Sequence, residues 1–168
     1  MDQSKIDRTL ISIISGCYNE EENVECLRAK IDEVFLEFPH YEYELIFIDN
    51  HSADRTVEKI KAMAATDRRV KCIVNARNFG HIRSPFHAFL QAKGAAVIMM
   101  ASDLQDPPEL IRDFLHRWEE GHKIVVAVKN KSRESTLMWI LRRTYYWLLY
   151  KIADVKVIQN FTGFGLYD

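Results

Sequence analysis

Ala101-Ser-Asp-Leu-Gln-Asp-Pro-Pro-Glu109 (ASDLQDPPE) follows the apolar run Ala95 to Met100 and leads straight into a helical pattern. A buried strand that releases carboxylates at its C-terminal end is where open α/β sheets assemble ligand sites. Asp103, Gln105 and Asp106 offer hard oxygen ligands in a short turn, the kind a phosphate-bearing divalent cation takes. Pro107 and Pro108 suit a first helical turn, with Asp106 expected as its N-cap. The plainer alternative is that Asp106 only caps a helix and Asp103 only ends a strand.

Outward from this stretch, short apolar runs alternate with amphipathic ones. Strands are expected at Leu10 to Ile14, Tyr43 to Ile48, Val70 to Val74, Ala96 to Met100 and Ile124 to Val128. Helices are expected at Asn23 to Phe38, Asp54 to Ala65, Pro85 to Ala92 and Pro108 to Glu119. This βαβα order implies a mainly parallel, doubly wound sheet with helices on both faces. With neither repeat nor linker, residues 1–168 read as one domain.

Composition narrows the classes. The chain has 168 residues, 48% of them hydrophobic and 28% charged, which suits one globular domain. A net charge of −1 gives no whole-molecule case for nucleic acid. Cys17, Cys26 and Cys72 lack metal-ligand spacing and are odd in number, which favours a reduced, cytoplasmic setting. A reactive Cys17 at a strand end is the functional alternative. Met1 to Thr9 is polar and charged, unlike a signal peptide, and no apolar run reaches the length that spans a bilayer.

Polar clusters recur where the expected strands end. In CYNEEEN (Cys17 to Asn23), Asn19 and Glu20 suit a base or ribose edge, whereas Glu21 and Glu22 read as solvated helix-start charges. In FIDNHSADRT (Phe47 to Thr56), Asp49 ends the strand, His51 and Ser52 turn, and Asp54 looks like a cap. In NARNFGH (Asn75 to His81), Gly80 permits a tight turn, and Arg77 or Asn78 is a candidate phosphate contact. Caps alone hardly explain such clusters at successive strand ends.

CYNEEEN, FIDNHSADRT, ARNFG and SDLQDPPE, in this order, resemble the nucleotide-sugar half of family 2 inverting glycosyltransferases with a GT-A fold. The nearest branch contains the polyprenyl-phosphate sugar transferases, and the likeness runs from about Leu10 to Asp168. The resemblance implies that Tyr18, Asn19 and Glu20 form the first nucleotide-binding motif and that Asp49 contacts the base. It implies that Asp103 and Gln105 hold a Mg²⁺ or Mn²⁺ ion and that Lys129 stands where the family has a phosphate-binding arginine; Arg77 and Asn78 join the nucleotide-sugar set from their turn, and Asp103 and Asp106 are the catalytic candidates. The implied partners are a UDP- or GDP-sugar donor, a polyprenyl phosphate or glycan acceptor and the inner face of the cell membrane, with a homo-oligomer also compatible.

Departures from the family pattern matter for the chemistry. Ala101 stands where the first carboxylate of the usual D-x-D would be, Gly16 near the usual proline, and Asn50 in place of a second aspartate. Fewer protein carboxylates make a metal depend more on Asp103, Gln105, water and diphosphate oxygens. Gly163, in the frame Thr162 to Leu166, replaces a candidate catalytic aspartate. Either the acceptor brings its own charge, or a base such as Asp106 or Asp168 sits elsewhere. Lys129 reads equally well as an ordinary exposed lysine.

From Lys129 to Lys156 the chain carries seven Lys or Arg against two acidic residues, interleaved with Trp139, Tyr145, Tyr146, Trp147 and Tyr150. A helix over residues 135–153 is expected, either lying in a membrane interface or packing on the core with a solvated basic face. Relatives in this branch commonly carry transmembrane helices after such a domain, so the resemblance implies that the chain is the catalytic portion of something longer, or a short form that needs a membrane partner.

Overall fold

The computed structural model describes residues 8–128 and 161–168, with the single positions Tyr145 and Ile158. The expected helix at residues 135–153 and the Lys129 site lie outside the described residues, Tyr145 excepted, which is helical and exposed.

The strands are β1 (Thr9–Cys17), β2 (Tyr41–Asp49), β3 (Val70–Val74), β4 (Ala96–Ala101), β5 (Ile124–Val128) and β6 (Phe161–Tyr167). The helices are α1 (Val24–Leu36), α2 (Thr56–Thr66), α3 (Gly80–Phe89) and α4 (Ile111–Glu119), the last entered through a 3₁₀ turn, Pro108–Leu110. One sheet of order β3-β2-β1-β4-β6-β5 joins them. β3, β2, β1 and β4 are parallel, as the βαβα order requires, while β6 runs antiparallel to both β4 and β5.

The central strands are apolar on both faces because both are covered. Ile11, Ile13, Leu45, Phe47 and Ile98 meet Leu27, Ile31 and Val34 of α1, Ile60 of α2 and Leu115 of α4 in the larger core. Ile14, Ile46, Ile48 and Val97 meet Ala88 of α3 in a smaller one. In α1 the buried set Val24, Leu27, Ile31, Val34 and Phe35 recurs at helical spacing and docks one face on the sheet.

Several expected boundaries move. β1 and β2 extend to Cys17 and Asp49, carrying Asp49 to the rim of the sheet. α3 begins five residues before Pro85, because Asn78 Oδ1 accepts the Gly80 N–H (2.8 Å) and starts the helix there. The proline ring is accommodated inside the helix by Gly16, where a Cβ would stand 3.2 Å from Pro85 Cγ. Asp106 is not the N-cap of the following helix; Pro107 takes that place with extended backbone (ψ 121°). β6 is the element the periodicity did not indicate. Its glycines dilute the β pattern, yet Phe164 and Leu166 point into the core, with the Phe164 ring edge-on to Phe114 at 4.7 Å.

Candidate active site

The parallel strands end in register. Cys17 pairs with Asp49 and Gly16 with Ala101, so the turns after β1, β2 and β4 emerge side by side. Among the described residues the non-glycine positions with positive φ are Asn19 (56°), His51 (70°) and Leu104 (57°). Each lies two or three residues past one of those strand ends. A left-handed leucine is costly, and such strain collects at ligand sites.

The first two turns are stitched together. Asn19 N–H donates to Ser52 Oγ (2.9 Å) and Ala53 N–H to Asn19 Oδ1 (2.9 Å). Glu20 N–H donates to Thr56 Oγ1 (2.8 Å), Glu21 N–H to Asp54 Oδ2 (3.1 Å), and Arg55 N–H to Glu21 Oε2 (2.9 Å). Asp54 also accepts from the Thr56 N–H at 3.0 Å, opening α2 from two residues before its first turn. Glu21 is thus a cross-loop acceptor, not only a solvated charge, and the Asn19 carbonyl oxygen is engaged.

Asp49 is fully buried. Its Oδ2 accepts the His51 and Ser52 N–H groups, both at 3.0 Å, and its Oδ1 accepts the Ser52 hydroxyl. It shapes the turn after β2. Beside it, the Asn50 amide donates to Asn78 Oδ1 (2.8 Å) and its carbonyl oxygen accepts Phe79 N–H (2.8 Å), while Asn75 donates to Ser84 Oγ (2.8 Å). This network ties β2 to the start of α3. Asn78 is therefore a turn-builder, and the Arg77 guanidinium lies 4.7 Å over the Phe79 ring. The asparagine at position 50 supplies, beside an acceptor, the N–H donor that an ionised aspartate lacks.

A crevice of about 330 Å³ opens at these strand ends. Gly16, Tyr18 and Glu20 line it from the β1 side, Asn50 from β2, and Met100 and Ala101 from β4. His81, Ser84 and Pro85 of α3 and Thr162 and Gly163 of β6 close it. His81, Ser84 and Pro85 of α3 were not legible beforehand as crevice wall, because long-range packing brings them in, whereas the family frame singles out Gly163. Gly163 has φ +90°, a conformation that penalises any side chain, so an aspartate at this position would be strained. Ser102 is buried against β1, its Oγ 2.6 Å from Ser15 Oγ and 3.0 Å from Cys17 Sγ. Burial pushes the Cys17 thiol far up, above the range of a reactive thiolate, which removes the reactive-cysteine alternative.

The turn after β4 is barer. Asp103, half-buried, accepts the Gln105 N–H on Oδ1 at 3.1 Å, which orients the carboxylate; Gln105 is exposed. Asp106 is half-buried. Among the described residues no three metal-ligating side chains converge. One carboxylate with an adjacent amide fits a cation held largely by substrate phosphates, as Mg²⁺ often is, and not a protein cage.

The Glycosyl transferase family 2 profile matches residues 12–165. The chain belongs to that family. It is 38% identical over 157 residues to the Bacillus subtilis (strain 168) protein CsbB, named among glycosyltransferases, covering 94% of this chain and 47% of that one. It is 35% identical over 159 residues to the Escherichia coli (strain K12) prophage bactoprenol glucosyl transferase homolog, covering 93% and 51% respectively. The chain thus spans about half the length of these relatives. A mannosyltransferase from Pyrobaculum calidifontis, solved with GDP-Man and Mn²⁺, shares the fold (TM-score 0.61, 17% identity, 95% of this chain and 44% of that one). The GT-A-type α/β fold expected from the motifs is the one observed, with β6 as its antiparallel insertion.

Proposed function

We propose that this family 2 glycosyltransferase domain moves a sugar from a UDP- or GDP-sugar to a polyprenyl phosphate, with inversion, at the cytoplasmic face of the cell membrane. The observation that carries the reading is the convergence of the β1, β2 and β4 ends on one crevice, lined at the β4 end by Ala101, two residues before Asp103 in the chain. The turns around Asn19, Asp49 and Ser52 are bonded together before any ligand arrives, so the nucleoside has a preformed seat. Tyr18, half exposed in the crevice wall, offers a ring for stacking. A Mg²⁺ or Mn²⁺ ion, held by Asp103 and Gln105 together with the diphosphate, would neutralise charge on the leaving group.

The acceptor follows from Gly163. An acceptor oxygen attacks the anomeric carbon as the bond to the diphosphate breaks, and the electron pair leaves with the diphosphate. A hydroxyl acceptor must lose a proton to a base; a phosphate monoester oxygen is already ionised near neutral pH. The crevice wall at Gly163 has no carboxylate and strains one, and the Glu20 carboxylate that does line the crevice accepts the Asn23 Nδ2–H at 2.7 Å, which favours the acceptor that needs no base. The name of the Escherichia coli relative agrees. Ala101 and Gly163 also support a second reading, a nucleotide-sugar-binding module without turnover.

The test is transfer from a panel of labelled UDP- and GDP-sugars to detergent-solubilised polyprenyl phosphate, with nucleotide-sugar binding measured in parallel. Stoichiometric appearance of lipid-linked sugar and free nucleoside diphosphate is expected. Product only on a hydroxyl-bearing glycan would overturn the acceptor, and binding without product on either would favour the non-catalytic module.

A further inference from the structure

Helix α3 has two unlike faces. Its inner side, with Ser84 and Pro85, lines the crevice, and Ala88 packs under the sheet. Its outer side presents Ile82, Phe86 and Leu90 at 71%, 57% and 65% exposure, one helical turn apart, with Phe79 at 39% just before them. Phe86 stacks on Phe89 at 6.3 Å, extending the apolar strip toward β6. Such a run of large exposed side chains marks an interaction surface.

The charge around the strip selects the partner. From Asn75 to Ser102 the chain has Arg77, Arg83 and Lys93 and no Asp or Glu, where an even spread of its 24 acidic residues over 168 positions would place about four. Arg83 is exposed, immediately beside Ile82. Apolar side chains flanked by cations in a stretch without acidic residues suit the headgroup layer of an anionic bilayer: the strip enters the acyl boundary and the cations meet lipid phosphates, while Glu44, whose carboxylate accepts the Lys93 N–H, is buried and paired with Lys71.

We propose that the outer face of α3 is a docking surface for an anionic lipid bilayer. It deepens the polyprenyl-phosphate reading and rests on it for its purpose: the same helix would face lipid on one side and the crevice on the other, which shortens the path of a lipid-borne phosphate to the reacting sugar.

The test is co-sedimentation of the 168-residue chain with phosphatidylcholine vesicles with or without phosphatidylglycerol. Binding only to phosphatidylglycerol vesicles, weakening as salt rises, is expected. The triple variant Ile82→Ser, Phe86→Ser, Leu90→Ser should lose at least tenfold in partition, and Arg83→Glu about fivefold at low salt, while UDP still raises the unfolding temperature of both as in wild type. Equal vesicle binding by wild type and triple variant overturns the proposal. So does a lowered unfolding temperature in the triple variant without loss of vesicle binding, which would mean that another part of the chain covers the strip. Loss of a dimer in the variant, with no vesicle binding by wild type, would make the strip a contact between copies and likewise overturn it. If vesicle binding depends on α3 but polyprenyl transfer fails, the docking surface stands and the acceptor reading falls; the reverse pattern separates them the other way.

Discussion

Two buried or half-buried aspartates close loops at opposite ends of the sheet, by different means. Asp67, between α2 and β3, is gripped by cations: Arg69 Nε and a terminal nitrogen reach its carboxylate at 3.0 and 2.7 Å, and Arg28 reaches it at 2.8 Å. Arg69 also pairs with Asp32 at 2.9 Å, so this end is a charge-balanced staple. Asp49, at the ligand end, accepts from two backbone N–H groups and a hydroxyl, and no ion pair with it occurs among the described residues. The difference separates structural ionic closure from a seat built of neutral donors. A site that must admit a charged diphosphate does better with its turn ordered by dipoles than with its cations already committed to protein carboxylates.

The contrast would be broken most sharply at Asp49. Asp49→Ala leaves the His51 and Ser52 donors without their acceptor, and we expect a loss of about 2 kcal/mol in unfolding free energy by urea titration. On the proposed function UDP or GDP affinity should fall as well, because the turn proposed to seat the nucleotide is released. Unchanged stability would mean that Asp49 is not the organiser of this end.

Asp103 should behave in the opposite sense. Asp103→Ala is expected to cost about tenfold, or about 1.4 kcal/mol, in Mn²⁺-dependent nucleotide-sugar affinity by calorimetry, while unfolding changes by less than about 0.5 kcal/mol. Equal metal-dependent affinity in variant and wild type would remove Asp103 from the site.

The smallest effect belongs to the ionic staple and appears in its pH dependence. Hydrogen bonds and charge from Arg69, opposed by burial and assisted by Arg28, pull the Asp67 carboxyl down from 3.8 to about 2. A depressed carboxyl stabilises the folded state fully above the unfolded value and loses that contribution as pH falls through the folded one. Asp67→Asn should therefore be less stable than wild type above pH 4, by on the order of 1 kcal/mol given partial exposure. The gap should close by about pH 2. Thermal unfolding at pH 6, 4 and 2 measures it, and a gap independent of pH would show that the arginine pairs are not its source.

Much of this was legible in the chain because it is local. β-branched runs such as Leu10 to Ile14 are buried strands whatever surrounds them, and α1 shows its inward face at helical spacing. ASDLQDPPE and its companion motifs likewise identify the family from residue types in order. Tertiary structure alone decided what non-local pairing controls. β6, diluted by Gly163 and Gly165, becomes a strand because β4 and β5 flank it. Pro85, read as a helix start, sits inside α3 because Gly16 on a distant strand leaves room for its ring. Asn78, read as a phosphate contact, and Glu21, read as a solvated helix-start charge, became loop staples once their partners arrived from 28 and 34 positions away. A hydrogen bond that crosses between strand ends depends on register, and register is set by the packing of the whole sheet.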